Sequence, residues 1–433
     1  MTEPDPNKPL RWIPSLYFAQ GLPYVAVMTL SVVMYKNLGL SNTDIALYTS
    51  WLYLPWVIKP LWAPLVDLLG TKRGWIVAMQ LLIGGGLAAV GSGLPMEGYL
   101  RWTLVAFWLM AFSSATHDIA ADGFYMLALR EHQQAAYVGV RSTFYRLAMI
   151  AGQGGLVYLA GTLQVRTGSF ASGWMGVFLL MATLFILLAA YHHRVLPRPA
   201  TDAAPSARPA RLVRDFAAVF GAFFKRPGIV TMLAFLLLYR FPEAQLLKLA
   251  VPFLLDPPAA GGLGLTTQEV GIVYGTAGVT ALTLGGILGG FAIARFGLRR
   301  ALWPLVLCVH LPNLIFVLLA LYQPADPWLV GGALAVEQFG YGFGFTAYML
   351  YMIMISQGPH RTAHYAICTG FMALGMMLPG MFSGWLQARL GYQNFFIWVC
   401  LAALPSLYVV SRVKIDPRFG RKDSDQGRSA GDA

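Results

Sequence analysis

Apolar runs long enough to cross a lipid bilayer follow one another along this sequence. A helix needs about 20 apolar residues to span the hydrocarbon core. Of the 433 residues, 57% are hydrophobic and only 12% are charged, whereas soluble domains carry about 25% charged residues. The runs cover roughly residues 11–36, 43–66, 75–94, 102–129, 137–161, 171–193, 228–255, 267–293, 301–322, 327–356, 363–388 and 392–411. We therefore predict an all-α membrane protein with twelve transmembrane helices.

One long polar connection, residues 194–227, is rich in Pro, Ala and Arg and divides the runs into two groups of six. We predict an N-terminal six-helix half over 1–193, a cytoplasmic linker over 194–227 and a C-terminal six-helix half over 228–412. Within the linker, residues 211–224 (RLVRDFAAVFGAFF) are predicted to form an amphipathic interfacial helix. The polar residues 413–433 are predicted to be a disordered cytoplasmic tail.

The distribution of Lys and Arg predicts the orientation. We place the N-terminus, the C-terminus and the even-numbered loops between the runs on the cytoplasmic side. Of the 31 basic residues, the outer side then receives only Lys36, Arg101, Arg166 and Arg389. Positively charged loops stay cytoplasmic, so both termini are predicted to be cytoplasmic. The net charge of +12 then reflects loops that face anionic lipid, and nucleic acid is not predicted as a partner. No signal peptide is expected, since a basic segment followed by a short apolar region is missing at the start.

Residues 112–129 (FSSATHDIAADGFYMLAL) carry two carboxylates inside an apolar run. Asp118 and Asp122 are four residues apart and share one helix face. An ionised carboxylate in hydrocarbon costs at least ~2.5 kcal/mol, so this face is predicted to line a cavity or to meet charged partners. Asp118 lies near the middle of its run and is the stronger substrate or proton candidate. Asp122 is the stronger candidate to pair with an arginine of the fifth run.

Further charges lie inside other apolar runs, and transporter substrates bind near the membrane midplane. Arg240 and Glu243 are three residues apart and could form an intrahelical ion pair with a structural role. Pro242 between them is predicted to break the helix and free backbone carbonyls. The additional substrate or proton candidates are Lys59, Arg146, Arg240, Glu243 and Glu337.

Arg146 could instead pair with Asp118 or Asp122, and Glu337 has no obvious partner in the sequence, which makes it a proton-site candidate. His310, in the ninth run, is interpreted as a satisfied or interfacial residue. Several polar side chains could hydrogen-bond to a sugar or stack on it, although each alone also suits helix packing. They are Gln20, Tyr24, Tyr125, Gln153, Gln338, Tyr341 and Tyr348.

The glycine-rich segments GQGG (152–155), GGILGG (285–290) and GYGFG (340–344) are predicted to permit close helix packing. The three cysteines lie in apolar runs and suggest neither disulfides nor a metal site. The seven histidines show no catalytic or metal-binding spacing. A membrane enzyme such as an acyltransferase is therefore a distant alternative, and neither a cofactor nor a metal is predicted.

A short segment is repeated in the two halves. APLVDLLGTKRGW (63–75) precedes the third run and GFAIARFGLRRAL (290–302) precedes the ninth, an internal duplication typical of secondary transporters. The first copy resembles the major facilitator signature G-x-x-x-D-x-x-G-x-[RK], with Ala63 in place of the first glycine. The resemblance implies the major facilitator fold and a cytoplasmic gating loop, although the basic residues could act in topology alone. The gating-loop candidates are Asp67, Gly70, Lys72 and Arg73, with Arg299 and Arg300 in the second copy.

In the implied fold, spans 1, 4, 7 and 10 line a central cavity and spans 3, 6, 9 and 12 are peripheral. The charges inside the runs fall on spans 2, 4, 5, 7 and 10. The peripheral spans carry no Asp, Glu, Lys or Arg near their centres, and His310 is the exception among the histidines. This placement agrees with the implied fold.

Longer segments resemble the AmpG-type muropeptide permeases, a branch related to acetyl-coenzyme A transporters. The resemblance is carried by FAQGLPY (18–24), IKPLWAPLVD (58–67), FSSATHDIAADGFYM (112–126), YRLAMIAGQGG (145–155) and VEQFGYGFGFTAYML (336–350). It implies a monomeric inner-membrane symporter that uses the proton gradient to import anhydromuropeptides for peptidoglycan recycling.

The resemblance carries over the polar positions Lys59, Asp118, Asp122, Arg146 and Glu337. The sequence departs from the pattern in GFYML after Asp122 and in the extra charge over residues 240–248. Another anionic or glycan solute, such as a sugar, a siderophore or an acyl-CoA, therefore stays open as the substrate.

Overall fold

The computed structural model describes residues 9–199, 202, 218–358, 360–417 and 419–420, and its regular elements in these ranges are all helical. Where shorter helical pieces follow one another without a loop, we treat them as one element. The helices are α1 Pro9–Asn37, α2 42–68, α3 Lys72–Gly93, α4 Tyr99–Ala128, α5 131–167, α6 Phe170–Val195, α7 Ile229–Leu255, α8 Thr267–Phe296, α9 Leu298–Tyr322, α10 Pro327–Ile355, α11 Arg361–Leu401 and α12 Ala403–Arg412. The all-helical prediction is confirmed.

Each predicted apolar run overlaps a helix in the expected order. At Gly391 the backbone has φ 72° and ψ 167°, which separates the helix before it from the one after it. The predicted twelfth run, 392–411, begins at this break. In the described part of the chain, eight helical stretches are long and apolar enough to cross a membrane by length and composition. The twelve-span topology and its orientation stay predictions.

The helices α7 and α9 are interrupted near their centres. In α7 the first segment ends at Leu238 and the second begins at Phe241, with Arg240 between them at φ −106° and ψ 17°. Pro242 lacks a backbone donor and cannot continue a regular helix, so the predicted break is confirmed. In α9 a 3₁₀ turn, Leu311–Asn313, interrupts the helix and also contains a proline.

The chain forms two compact units. Unit 1 holds the described residues of Met1–Leu38 and Ile58–Phe216, and unit 2 holds those of Gly39–Val57 and Ala217–Ala433. The first part of α2 therefore belongs to unit 2, although the helices before and after it belong to unit 1. The predicted division into two six-helix halves stays a prediction.

Each unit has its own buried aromatic core. In unit 1, Trp12 and Phe124 meet edge to face with ring centroids 5.3 Å apart. In unit 2, the ring centroids of Phe235 and Tyr351 lie 4.1 Å apart, and the Phe235 ring stacks on that of Tyr348. Aromatic rings bury a large area and add about 0.5–1.5 kcal/mol per favourable pair, so these clusters hold neighbouring helices at fixed rotations.

The predicted interfacial helix 211–224 is described only from residue 218, and residues 218–224 are helical. Phe223 in this stretch is fully buried in the core of unit 2. Near the end of the described chain, the backbone carbonyl of Phe419 accepts a hydrogen bond from the amide of Leu298 at 3.1 Å. The rest of the predicted disordered tail, 421–433, lies outside the described residues.

Glycines bring α10 close to two neighbouring helices. A methyl group at Gly342 would collide with the carbonyl of Leu282 on α8, and one at Gly340 would collide with the carbonyl of Cys308 on α9. Gly285 on α8 likewise faces the backbone of α10. Close packing is therefore confirmed for these members of GYGFG and GGILGG, which let the backbones approach without intervening side chains.

We predict that Gly342→Ala lowers the thermal stability of the purified protein. Because the added methyl group meets a backbone carbonyl, α8 and α10 must separate, and overpacking of this kind costs about 1–3 kcal/mol. Gly332→Ala, on the same helix with open space around the added methyl group, is the control and should leave the melting temperature unchanged or raise it. Equal melting temperatures for the two variants would contradict the prediction.

Candidate functional site

The acidic face of α4 meets basic side chains of its own unit. Asp118 Oδ2 lies 3.9 Å from Nζ of Lys59, and both side chains are largely buried, with 16% and 22% of their surface exposed. Asp122 Oδ1 lies 2.8 Å from a guanidinium nitrogen of Arg141 on α5. The two carboxylates of one helix face therefore have different basic partners.

Asp122 and Arg141 also contact aromatic side chains. The Tyr17 hydroxyl donates to Asp122 Oδ1 at 3.5 Å. The Arg141 guanidinium lies 4.5 Å from the ring centroid of Tyr17 and 5.5 Å from that of Tyr125. A guanidinium on an aromatic face gains cation–π energy, so Arg141 is fixed from two sides. This geometry agrees with a pairing role for Asp122, which stays a prediction.

The other predicted polar residues of unit 1 differ in their contacts. The Tyr125 hydroxyl donates to the backbone carbonyl of Gln134 at 2.6 Å. Gln20 is buried, and its side-chain oxygen has no hydrogen-bond donor in the described part of the chain. Tyr24, Arg146 and Gln153 are half-buried, and Gln153 lies in the π-helical turn Ala151–Leu156. Gln20 thus keeps a side-chain oxygen that can accept a hydrogen bond, whereas the Tyr125 hydroxyl already donates to a backbone carbonyl.

In unit 2, Arg240 occupies the break in α7 and packs on aromatic residues of α10. Its guanidinium donates to the Tyr341 hydroxyl and lies 4.8 Å from the ring centroid of Phe345. Arg240 is 8% exposed. The break therefore presents a buried guanidinium supported by rings, and Tyr341, predicted as a sugar contact, contacts this arginine.

Glu243 pairs across helices. Its Oε1 lies 2.9 Å from Nδ1 of His310 on α9 and 3.4 Å from the side-chain nitrogen of Asn313. Glu243 thus has a described partner across helices in His310, whereas the intrahelical pair with Arg240 stays a prediction. Sequence reasoning left His310 out of the site. The available signal was its position as a titratable side chain in the middle of an otherwise apolar run.

Glu337 on α10 is 2% exposed and has a neighbour as its hydrogen-bond partner. The side-chain nitrogen of Gln338 donates to Glu337 Oε2 at 2.8 Å. The expectation that Glu337 has no partner nearby is therefore wrong. Gln338, which was predicted to contact a sugar, donates a hydrogen bond from its side-chain amide to this carboxylate.

The predicted gating loop has an acidic partner that the sequence did not reveal. The backbone amides of Lys72 and Arg73 donate to the carboxylate of Asp202 at 2.7 and 3.0 Å. Negative charge is favourable at the amino end of a helix, and this carboxylate from the predicted linker lies at the start of α3. Gly70 has φ 117°, which favours glycine. The side chain of Asp67 lies outside the described residues.

The second copy of the loop differs. Arg299 and Arg300 are exposed at the start of α9. The contact that the structure gives there is the backbone hydrogen bond from Leu298 to Phe419. A latch role for either copy stays a prediction.

A buried polar chain in unit 1 was also missed. The side chain of Gln80 on α3 lies 3.0 Å from Nε2 of His117 on α4 and 2.9 Å from Nδ1 of His192 on α6. The Nε2 atom of His192 lies 2.9 Å from the hydroxyl of Ser15 on α1. These hydrogen bonds link α1, α3, α4 and α6 through polar side chains. The residue types alone did not indicate that these side chains meet.

Apolar helices that keep paired or aromatic-supported charges in their interior are typical of membrane transporters, and this is the class of protein that the fold and the site define. The family profile of the Major Facilitator Superfamily matches residues 15–244. The chain belongs to this superfamily. It is a multi-pass membrane transporter of a small molecule and not an enzyme.

Similar proteins cover nearly the whole chain. It is 28% identical over 419 residues to the "Anhydromuropeptide permease" of Escherichia coli K12, covering 91% of this chain and 77% of that protein. It is 24% identical to "Putative transporter AmpG 4" of Rickettsia conorii, covering 91% and 94%. A solved inward-facing bacterial homolog of the human lysosomal transporter Spinster matches with a TM-score of 0.68 at 16% identity, covering 94% and 88%. The AmpG-type resemblance is confirmed, and the solved structure shows the fold alone.

We predict that Asp122→Asn lowers the free energy of unfolding and leaves transport largely intact. The Asp122–Arg141 pair is partly exposed, so its contribution should be at most about 1 kcal/mol. A thermal double-mutant cycle with Arg141→Gln checks this, because the two changes should be less than additive if the pair exists. Additive losses, or loss of transport in Asp122→Asn, would refute a pairing role.

Proposed function

We propose that this protein is a proton-coupled symporter that imports anhydromuropeptides across the bacterial inner membrane for peptidoglycan recycling. The observation that carries the proposal is the similarity to the anhydromuropeptide permease along 91% of the chain. It extends over both predicted halves.

The charges inside the helices fit an anionic substrate. A guanidinium binds a carboxylate by two parallel hydrogen bonds, and Arg146 and Arg240 are the residues proposed for this. The peptide of a muropeptide carries free carboxylates, while Gln20 has a buried oxygen without a donor in the described chain that can accept from a sugar hydroxyl or amide. The proposed substrate therefore has groups that match each kind of side chain.

Carboxylates provide the proposed coupling. Asp118, Glu243 and Glu337 are buried or largely buried, and a carboxylate in such a position can take up a proton on one side of the membrane and release it on the other. If proton binding and substrate binding favour the same occluded state, each increases the affinity for the other by the same factor. A proton gradient would then drive accumulation of the substrate.

The proposed topology has twelve spans in two pseudo-symmetric halves with both termini in the cytoplasm. It is supported by the excess of Lys and Arg in the predicted inner loops. The cytoplasmic segment between the halves would then contain Asp202, and the loop of Lys72 and Arg73 would lie on the same side. Its hydrogen bonds to Asp202 would be part of the proposed cytoplasmic latch. We propose that the monomer is the transport unit.

The direct test is uptake by proteoliposomes under an imposed pH gradient. We expect accumulation of radiolabelled anhydromuropeptide with the interior alkaline, and none when an ionophore removes the gradient, because the gradient supplies the energy. Simple sugars, a siderophore and an acyl thioester should not accumulate in parallel assays. Strong uptake of one of these without muropeptide uptake would replace the proposed substrate.

We predict that Asp118→Asn abolishes gradient-driven accumulation. The amide keeps the size of the side chain but removes the negative charge that faces Lys59, so the lysine charge is left largely buried without this counter-charge. Asp122→Asn, four residues along the same helix, is the matched control and should accumulate substrate. Full accumulation in Asp118→Asn would remove this residue from the mechanism.

A further inference from the structure

The breaks in α7 and α9 are joined by one buried polar cluster. Glu243 follows the break in α7 by two residues, and His310 precedes the 3₁₀ turn of α9. His310 also reaches Ser406 on α12, with Nε2 and Oγ 2.9 Å apart. The exposed fractions of Glu243, His310 and Ser406 are 1%, 5% and 0%. The cluster therefore connects three helices at the two points where their backbone is irregular.

The hydrogen bonds define where protons lie. Ser406 has one hydroxyl hydrogen, which it donates to the carbonyl of Tyr239 at 3.2 Å. The Ser406 oxygen must then accept from His310, so Nε2 of the imidazole carries a hydrogen. The remaining imidazole nitrogen, Nδ1, lies 2.9 Å from Glu243 Oε1. A bare nitrogen lone pair facing an ionised carboxylate would be repulsive, so this contact holds one further proton, on the nitrogen or on the oxygen.

Two acceptors in the cluster have no donor. Glu243 Oε2 and the side-chain oxygen of Asn313 are buried and lack hydrogen-bond partners in the described part of the chain. Buried acceptors without donors are costly, and together they make the cluster attractive to a proton and repellent to an anion. The site thus differs in kind from the guanidinium of Arg240 nearby, which suits a substrate carboxylate.

The surroundings of the pair contain few other titratable groups. Tyr239 and Arg240 lie on α7, with the Tyr239 ring centroid 6.2 Å from that of His310. From α9, Cys308 acts electrostatically on Tyr239, and from α10, Glu337 interacts electrostatically with Glu243. From α12, the uncharged side chain of Ser406 contacts His310. Among these described residues, Glu337 is the acidic neighbour of Glu243.

We propose that the Glu243–His310 pair is the site that binds the transported proton, and that its proton state controls the bends of α7 and α9. The proposal rests on the proposed symport function and assigns the coupling to one pair, which includes a residue of the ninth helix. With one proton shared, the pair is electrically neutral and links the two helices. The ligand of this site is a proton, and the substrate binds elsewhere.

Release of the proton breaks the link. The N–H or O–H bond between the two residues is broken, the proton passes to water, and an ionised Glu243 is left facing a neutral imidazole. The hydrogen bond is lost and an uncompensated charge is left in a buried position, which is strongly unfavourable. The helices can respond at the existing breaks, at Arg240 in α7 and at the Leu311–Asn313 turn in α9. Rebinding of a proton restores the contact.

The test compares Glu243→Gln and His310→Gln with His360→Gln, which changes an exposed histidine of the same unit. In proteoliposomes, the first two variants should lose accumulation driven by a pH gradient by about 5- to 150-fold, the range of ordinary coupling free energies. All three should keep substrate counterflow at equal pH, since this exchange needs no net proton movement. Retained accumulation, or loss of counterflow in folded Glu243→Gln and His310→Gln protein, would overturn the proposal. Accumulation driven by a sodium gradient would also overturn it.

A second measurement needs no substrate. In pH-difference infrared spectra of the detergent-purified full-length protein, we expect a titrating carboxyl band that is missing in Glu243→Gln and titrates at a different pH in His310→Gln. An unchanged spectrum in both variants would overturn the proposal. If the unmodified protein fails to accumulate muropeptide but shows this band, the proposed substrate is wrong and the proton site is retained.

Discussion

Charge is costly where water is absent, and this constraint governs the interior of the protein. An ionised group in hydrocarbon must find a counter-charge, a hydrogen-bond partner or an aromatic face. Arg141 has Asp122 and two tyrosine rings, Arg240 has Tyr341 and Phe345, and Glu243 has His310. The pairs join different helices, so the same contacts that neutralise charge also fix how neighbouring helices are oriented within each unit.

The irregular backbone follows the same rule. A free carbonyl in a membrane protein is tolerated only where protein groups or a water-filled cavity satisfy it. At the break of α7, the carbonyl of Tyr239 accepts the hydroxyl of Ser406, which in turn fixes the imidazole of His310. Prolines remove the helical hydrogen bonds, and polar side chains of neighbouring helices replace them. The irregular backbone of α7 and α9 and the buried Glu243–His310 pair are therefore found at the same points.

Local sequence predicted some of these features because their causes are local. Pro242 breaks α7 since proline has no amide hydrogen, and the spacing of Asp118 and Asp122 places them on one face whatever surrounds the helix. The glycines of GYGFG were correctly interpreted as packing positions. Which of them faces α8 and which faces α9 depends on the rotation of α10, and a helix that is apolar on nearly all sides carries no periodic signal for its rotation.

The sequence by itself determined the class of membrane protein, the order of the helices, the break at Pro242 and the residues that must bear the cost of buried charge. Only the tertiary structure decided the partners: His310 for Glu243, and Asp202 for the amides of Lys72 and Arg73. The physical reason is the distance over which each interaction acts. Helix formation and membrane insertion depend on neighbouring residues in the chain, whereas hydrogen bonds and ion pairs require atoms within a few ångströms, and residues 67 or 130 positions apart reach that distance only after the helices pack.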